Sequence, residues 1–185
     1  MKHSLVNNII RKALAVVVCS LVLLQCAVNP VTGKRQLMLI SEQDEIALGK
    51  QTDRQIIQTY GVYEDADLTR YIAEIGERMG KTSHRPKLDY TFRVLDTPVV
   101  NAFAVPGGYI YFTRGILAYL NSEAQLAGIM GHEIGHVTAR HSASQMSKSQ
   151  LTMLGLELGK TLSEDFRKYS SFAEFGVGML FLKFS

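Results

Sequence analysis

His132-Glu133-Ile134-Gly135-His136 places two imidazoles and a carboxylate at a spacing that can do chemistry. A helix turns about 100° per residue, so His132 and His136 fall about 40° apart in projection and one turn apart along the axis. Both rings can then reach one metal ion, and Zn²⁺ suits two imidazole nitrogens. Glu133 stands beside the first histidine, at the right remove to take a proton from a water that the metal acidifies rather than to coordinate the metal itself. Such a constellation hydrolyses peptide bonds in many zinc proteases. The competing reading is a surface helix with an i,i+4 histidine pair. An HExxH string arises by chance in about one chain in a hundred of this size, so the flanks must decide.

The flanks predict a buried helix. Ser122-Glu123-Ala124-Gln125 reads as a capping box, with the Ser122 hydroxyl taking a first-turn amide proton and Gln125 reaching back, so the helix starts about ten residues before His132. Leu126, Ile129, Met130 and Val137 fall on one stripe, and Glu133 falls in the middle of it, where a carboxylate needs a partner or a role. Gly128, Gly131 and Gly135 gather with Ala124 and Ala139 on another side, which predicts close helix packing. A strip of Gln125, His132, His136 and Arg140 remains, the pattern of a core helix lining a cleft. His141 projects about 140° from His136 if the helix continues, which predicts a capping or packing role. The metzincin pattern needs glycine at 139 and histidine at 142, where this chain has Ala139 and Ser142.

The elements that must position this helix are legible around it. Asn29-Pro30-Val31-Thr32-Gly33 reads as a turn-rich tether, and Ser41 with Asp44 and Glu45 as the start of a helix to about Tyr60. Leu68, Tyr71, Ile72, Ile75 and Met79 predict a second helix with one core face and Gly80 as its C-cap. Tyr90, Phe92 and Val94 alternate with Thr91 and Arg93, a strand with one buried side. Asn101-Ala102-Phe103-Ala104-Val105 and Tyr109 to Thr113 flank Pro106-Gly107-Gly108, a hairpin whose glycines permit positive φ. The edge strand Asn101 to Val105 can pair with an extended peptide and present its carbonyl to the metal; a plain structural hairpin is the alternative. A polar patch from Ser142 to Ser149 follows His141, then apolar spacing from Leu151 to Leu162 and a glycine-broken apolar stretch from Phe172 to Phe184. The fold class predicted is α+β, mostly helical, with a small antiparallel sheet or hairpin beside a central HExxH helix.

Composition bounds the remaining readings. A chain of 185 residues, 46% hydrophobic and 20% charged, can bury one core. Lys2, Arg11 and Lys12 precede an apolar run from Ala13 to Leu24, the n-region and h-region of a signal peptide over residues 1–25, too short for the roughly 20 residues of a membrane span. Its removal takes away three positive charges and cancels the formal net charge of +3, which leaves no basic excess for nucleic acid. Cys19 lies in the same segment, so Cys26 is the single cysteine expected after cleavage and no internal disulfide can form. Leu23-Leu24-Gln25-Cys26 is similar to a bacterial lipobox, with Gln25 in place of the usual small residue. That predicts lipidation at Cys26, a tether over residues 26–40 and a domain over residues 41–185. A soluble exported protein with an incidental cysteine is the alternative.

Together these residues resemble the bacterial lipoprotein branch of peptidase family M48, the family of HtpX and the CAAX prenyl protease. The resemblance rests on Pro30-Val31-Thr32-Gly33 with Gln36-Leu37, on Asn101-Ala102-Phe103-Ala104 with Pro106-Gly107-Gly108, and on Glu123, Leu126 and His132 to His141. It implies a zincin-like fold and a gluzincin-type zinc endopeptidase with one Zn²⁺ per chain. It also implies an outer-membrane lipoprotein facing the periplasm that cleaves misfolded or misassembled envelope proteins in extended conformation. His132 and His136 would be ligands and Glu133 the general base. The family's third ligand is a glutamate in an ExEAD-like motif after a segment similar to Met179 to Ser185, where this sequence stops. Glu157, Glu164 and Glu174 lie downstream of the histidines but outside that pattern. The domain is therefore expected to be incomplete at its C-terminus and to bind zinc weakly through two histidines. The alternative function is a polypeptide-binding or chaperone-like lipoprotein that does not cleave. Substrate preference and oligomeric state are not encoded in any motif.

Overall fold

Helix and strand signals in this chain resolve, in a computed structural model, into elements described over residues 26–162. Two short strands come first, β1 (Cys26–Val28) and β2 (Arg35–Leu37), antiparallel with Cys26 opposite Leu37. The turn between them is built by Asn29, whose side-chain oxygen accepts the Val31 and Thr32 amides at 2.8 and 3.0 Å. Residues 26–40, the segment expected to be a turn-rich tether, fold back: the Asn29 side chain is buried and Met38 and Ile40 join the interior. The turn is local to Asn29, but its docking depends on Ala139, more than a hundred residues away.

Ser41 opens α1 (Glu42–Tyr60) by accepting the Asp44 amide, and Gly61 closes it at φ 71°. Asp65 caps α2 (Ala66–Lys81) in the same way through Leu68. Gly80, expected to be the C-cap, lies inside α2, and Thr82 ends the helix. Its lack of a side chain serves packing, since a Cβ there would sit 2.7 Å from the Tyr90 ring. Gly76, one turn earlier, admits the Phe92 ring, which a Cβ would meet at 2.3 Å. These two contacts lay α2 flat on the sheet.

The sheet has three strands in the order β3 (Thr91–Leu95), β5 (Tyr109–Thr113), β4 (Ala102–Val105). The β4–β5 hairpin is antiparallel as expected, with Ala104 opposite Ile110, whereas β3 runs parallel to β5. The sheet is thus mixed. Alternation of side chains tells which face is buried, not which neighbour a strand takes. Residues 96–101 carry the chain past the end of β5, tied down where Thr113 Oγ1 donates to Val99 O and the Gly115 amide to Thr97 O. The hairpin turn, Pro106–Gly108, uses φ 81° at Gly107 and 94° at Gly108, values open to glycine.

One face of the sheet carries Phe92, Val94, Ile110 and Phe112 against Ile72 and Ile75 of α2 and Leu126, Met130, Ile134 and Val137 of α4 (Glu123–Thr138). The other face carries Arg93 and Tyr111, which bind Asp53 of α1 at 2.7 and 2.9 Å. A short helix, α3 (Arg114–Leu117), links β5 to the approach to α4. The last described helix is α5 (His141–Leu162). Packing divides the chain into a first unit through Ser144 and a second from Gln145, so α5 begins in the first and runs on into the second. Glu157 lies on this later part of α5 and is exposed. The expected signal peptide, the apolar stretch from Phe172 to Phe184, Glu164 and Glu174 lie outside the described residues. Among the described residues no helix is long and apolar enough to cross a membrane.

Candidate active site

Helix α4 starts at Ser122, whose side chain accepts the Gln125 amide at 3.3 Å. Gln125 reaches back one residue further than a capping box requires, to the Asn121 amide at 2.7 Å. From that start Leu126, Met130 and Val137 of the predicted stripe are buried, with Ile134 added to them, while Ile129 is half-buried at its edge. Glu133 sits within the stripe at 7% exposure. Of the expected small-residue face, a Cβ at Gly131 would meet Met79 at 3.3 Å, but one at Gly128 or Gly135 would meet nothing within 4 Å. Close helix packing is therefore not what those two glycines serve, and nothing among the described residues explains them.

His132 is exposed and His136 half-buried, and their Nε2 atoms face each other at 3.1 Å. Two nitrogens bound to one tetrahedral zinc at about 2.0–2.1 Å each would lie roughly that far apart, so the pair fits a single small cation. Burial, then the neighbouring His141 and His132, hold His136 below the ordinary imidazole value. That favours the neutral ring, which can donate a lone pair. Burial pushes the Glu133 carboxyl above the usual carboxylate range, opposed by His132 and by the Ala104 amide, which donates to it. A carboxylate shifted in that direction is a better proton acceptor at neutral pH. Among the described residues no group of three or more His, Cys, Asp or Glu side chains is arranged to hold a metal ion.

The edge strand meets the helix here. Thr113 donates its amide to Asn101 O at 3.1 Å, which fixes the alternation along β4 and turns the backbone groups of Ala102 and Ala104 away from β5. Ala104 spends its amide on Glu133. Phe103 stacks on Tyr111 with ring centroids 4.9 Å apart, on the α1 side of the sheet. Ala104, Val105 and Pro106 line a small recess together with His136, Arg140 and His141. Of the segment Asn101 to Val105, its last two residues line this recess, while Asn101 serves the loop that binds Thr113.

Helix α4 does not continue through Arg140. The chain turns there at φ 54°, a left-handed conformation taken among the described residues by no other non-glycine residue. Glu45, 2% exposed, holds this turn by accepting from Arg140 Nε at 2.7 Å and from Arg85 Nη1 at 3.1 Å. Arg140 also donates to Ile40 O and Arg85 to Val137 O. The carbonyl of Ala139 is taken by Asn29 and Gln36 at 3.1 and 3.3 Å. The break carries His141 back to His136, Nδ1 to Nδ1 at 2.9 Å, and so overturns the projection expected for a continuing helix. Glu45 and Arg85 carried no motif; Glu45 looked like an ordinary first-turn acid of α1.

The model of a known family, described as Peptidase family M48, matches residues 66–184. The chain belongs to peptidase family M48. Similar proteins in it include the beta-barrel assembly-enhancing protease of Escherichia coli (strain K12), 33% identical over 111 residues covering 60% of this chain and 23% of that protein. The protein of the same name from Yersinia pestis is 32% identical over 66% of this chain and 26% of its own length. The mitochondrial metalloendopeptidase OMA1 of Arabidopsis thaliana is 40% identical over 68 residues, 37% of this chain and 14% of that protein. The chain spans about a quarter of the length of the bacterial M48 relatives it matches.

Proposed function

We propose that this chain carries the catalytic helix of a zinc-dependent endopeptidase of the gluzincin type that acts in the bacterial envelope on polypeptides in extended conformation. The observation that carries the reading is the pairing of His132 Nε2 and His136 Nε2 at 3.1 Å on the helix whose next inward residue is the buried Glu133. Membership of a peptidase family supports it. The bacterial relatives, named for enhancing beta-barrel assembly, support an envelope location and misassembled envelope proteins as substrates.

His132 and His136 are the two ligands that this reading assigns, with a third carboxylate ligand coming from outside the described residues. Zinc held there would supply Lewis-acid polarisation of the scissile carbonyl and acidify a water. Glu133 would take the proton of the attacking water while the water oxygen bonds to the carbonyl carbon, and would pass that proton to the amine nitrogen as the C–N bond breaks. The Ala104 amide holds the Glu133 carboxylate in place for both transfers. The outward backbone of Ala102 and the carbonyl of Ala104, whose amide is taken by Glu133, form the edge along which an extended substrate would pair, giving main-chain hydrogen bonds indifferent to sequence. Lipid attachment at Cys26 would fix the enzyme to the membrane.

Zinc content and casein hydrolysis of the purified protein test this. With a third carboxylate ligand in place beside His132 and His136, stoichiometric zinc and cleavage that stops on chelation and returns with added zinc are expected; the two histidines alone should bind zinc weakly. A protein that binds unfolded casein without cleaving it in excess zinc would be a binding lipoprotein instead.

A further inference from the structure

We propose that His141 is a positioning residue for His136, accepting the proton on His136 Nδ1 so that His136 Nε2 stays free and aimed at His132 Nε2. This rests on the reading of His132 and His136 as metal ligands. Three histidine rings form a chain of two contacts, Nδ1 to Nδ1 at 2.9 Å between His141 and His136 and Nε2 to Nε2 at 3.1 Å between His136 and His132. The rings meet nearly edge-on, at 75° and 79°.

A nitrogen–nitrogen contact of that length accommodates one proton between its atoms. Neutral His136 has a single ring proton to place. If that proton lies toward His132, Nε2 is blocked. If it lies on Nδ1, it needs an acceptor, and Nδ1 of His141, in the tautomer that carries its own proton on Nε2, is at hydrogen-bond distance. A ligating histidine is oriented by what its other nitrogen donates to, and loss of that partner costs about 10- to 100-fold in metal affinity.

The backbone gives an independent reason to assign this role. On a continuing helix His141 would point about 140° away from His136. A left-handed residue at Arg140, a conformation that side chains rarely adopt, brings it back, and a buried carboxylate, Glu45, holds that turn. His141 itself is exposed, so its packing does not account for the turn.

The test compares wild type with His141→Phe, which keeps a ring and removes the acceptor, and His141→Asn, whose amide oxygen can lie near the position of Nδ1. Ring-nitrogen NMR shifts of His136 are read in the metal-free protein, and zinc affinity by chelator competition. His141→Phe is expected to change the His136 tautomer balance without metal and to weaken zinc binding about 10- to 100-fold, with His141→Asn restoring most of both. Thermal midpoints should match; should His141→Phe unfold, His141→Ala takes its place. Unchanged His136 shifts, or equal zinc affinity in wild type and His141→Phe, overturn the proposal. A wild type that binds no zinc, while its His136 shifts still respond to the substitution, refutes the metal reading alone and leaves the His136–His141 hydrogen bond supported.

Discussion

Asn29 donates its side-chain amide to the carbonyl of Ala139 at 3.1 Å, joining the segment just after Cys26 to the C-terminal end of the helix that carries His132, Glu133 and His136. A helix ends with carbonyls that have no intrahelical partner, and here a residue from the far end of the chain supplies one. The same side chain organises its own turn through Val31 and Thr32, so one residue shapes the hairpin and docks it.

Replacing Asn29 with alanine should therefore cost more than a surface polar change. With its side-chain amide and oxygen both engaged and the residue buried, Asn29→Ala is expected to lower stability by about 1–3 kcal/mol. Urea unfolding monitored by circular dichroism measures it. A loss within a few tenths of a kcal/mol would mean that water replaces the bond and that the hairpin is not an anchor.

Glu45 accepts from two guanidinium groups while almost wholly buried. Removing Glu45 leaves Arg140 without a carboxylate partner and Arg85 with only the exposed Glu42, so Glu45→Ala should destabilise by about 3–5 kcal/mol. Thermal and denaturant midpoints check this. Glu42, which meets Arg85 at the surface, is the contrast: Glu42→Ala should cost less than about 1 kcal/mol.

Gly76→Ala puts a methyl group 2.3 Å from the Phe92 ring. The ring must shift, and overpacking of this kind costs about 1–3 kcal/mol. Gly128→Ala meets nothing within 4 Å and removes a glycine from a helix interior, so it should stabilise by up to about 1 kcal/mol. Opposite signs in two glycine-to-alanine changes make the pair a sharp test of the packing described.

Glu133→Gln should separate metal binding from proteolysis. The side chain keeps its size and can still accept the Ala104 amide, but it can no longer take up a proton. Zinc content should match wild type, while casein hydrolysis falls by about 10²- to 10⁴-fold. Loss of metal together with activity would place Glu133 among the ligands. His132→Ala and His136→Ala, in contrast, should each lose the metal.

The HExxH spacing, the stripe around Glu133, the caps at Ser41 and Ser122 and the hairpin glycines were determined by sequence alone, because each is local. Helical and strand periods fix a face within a few residues, and that was enough to bury Glu133 and pair the histidines. Contacts between distant segments were decided only by tertiary structure. Nothing in the pattern of β3 tells that it lies parallel to β5, since alternation is blind to the neighbouring strand. The left-handed turn at Arg140 follows an uninterrupted helical pattern, and no glycine or proline marks it. It exists because Glu45, Arg85, Ile40 and Asn29 converge on the end of α4, and that convergence places His141 against His136.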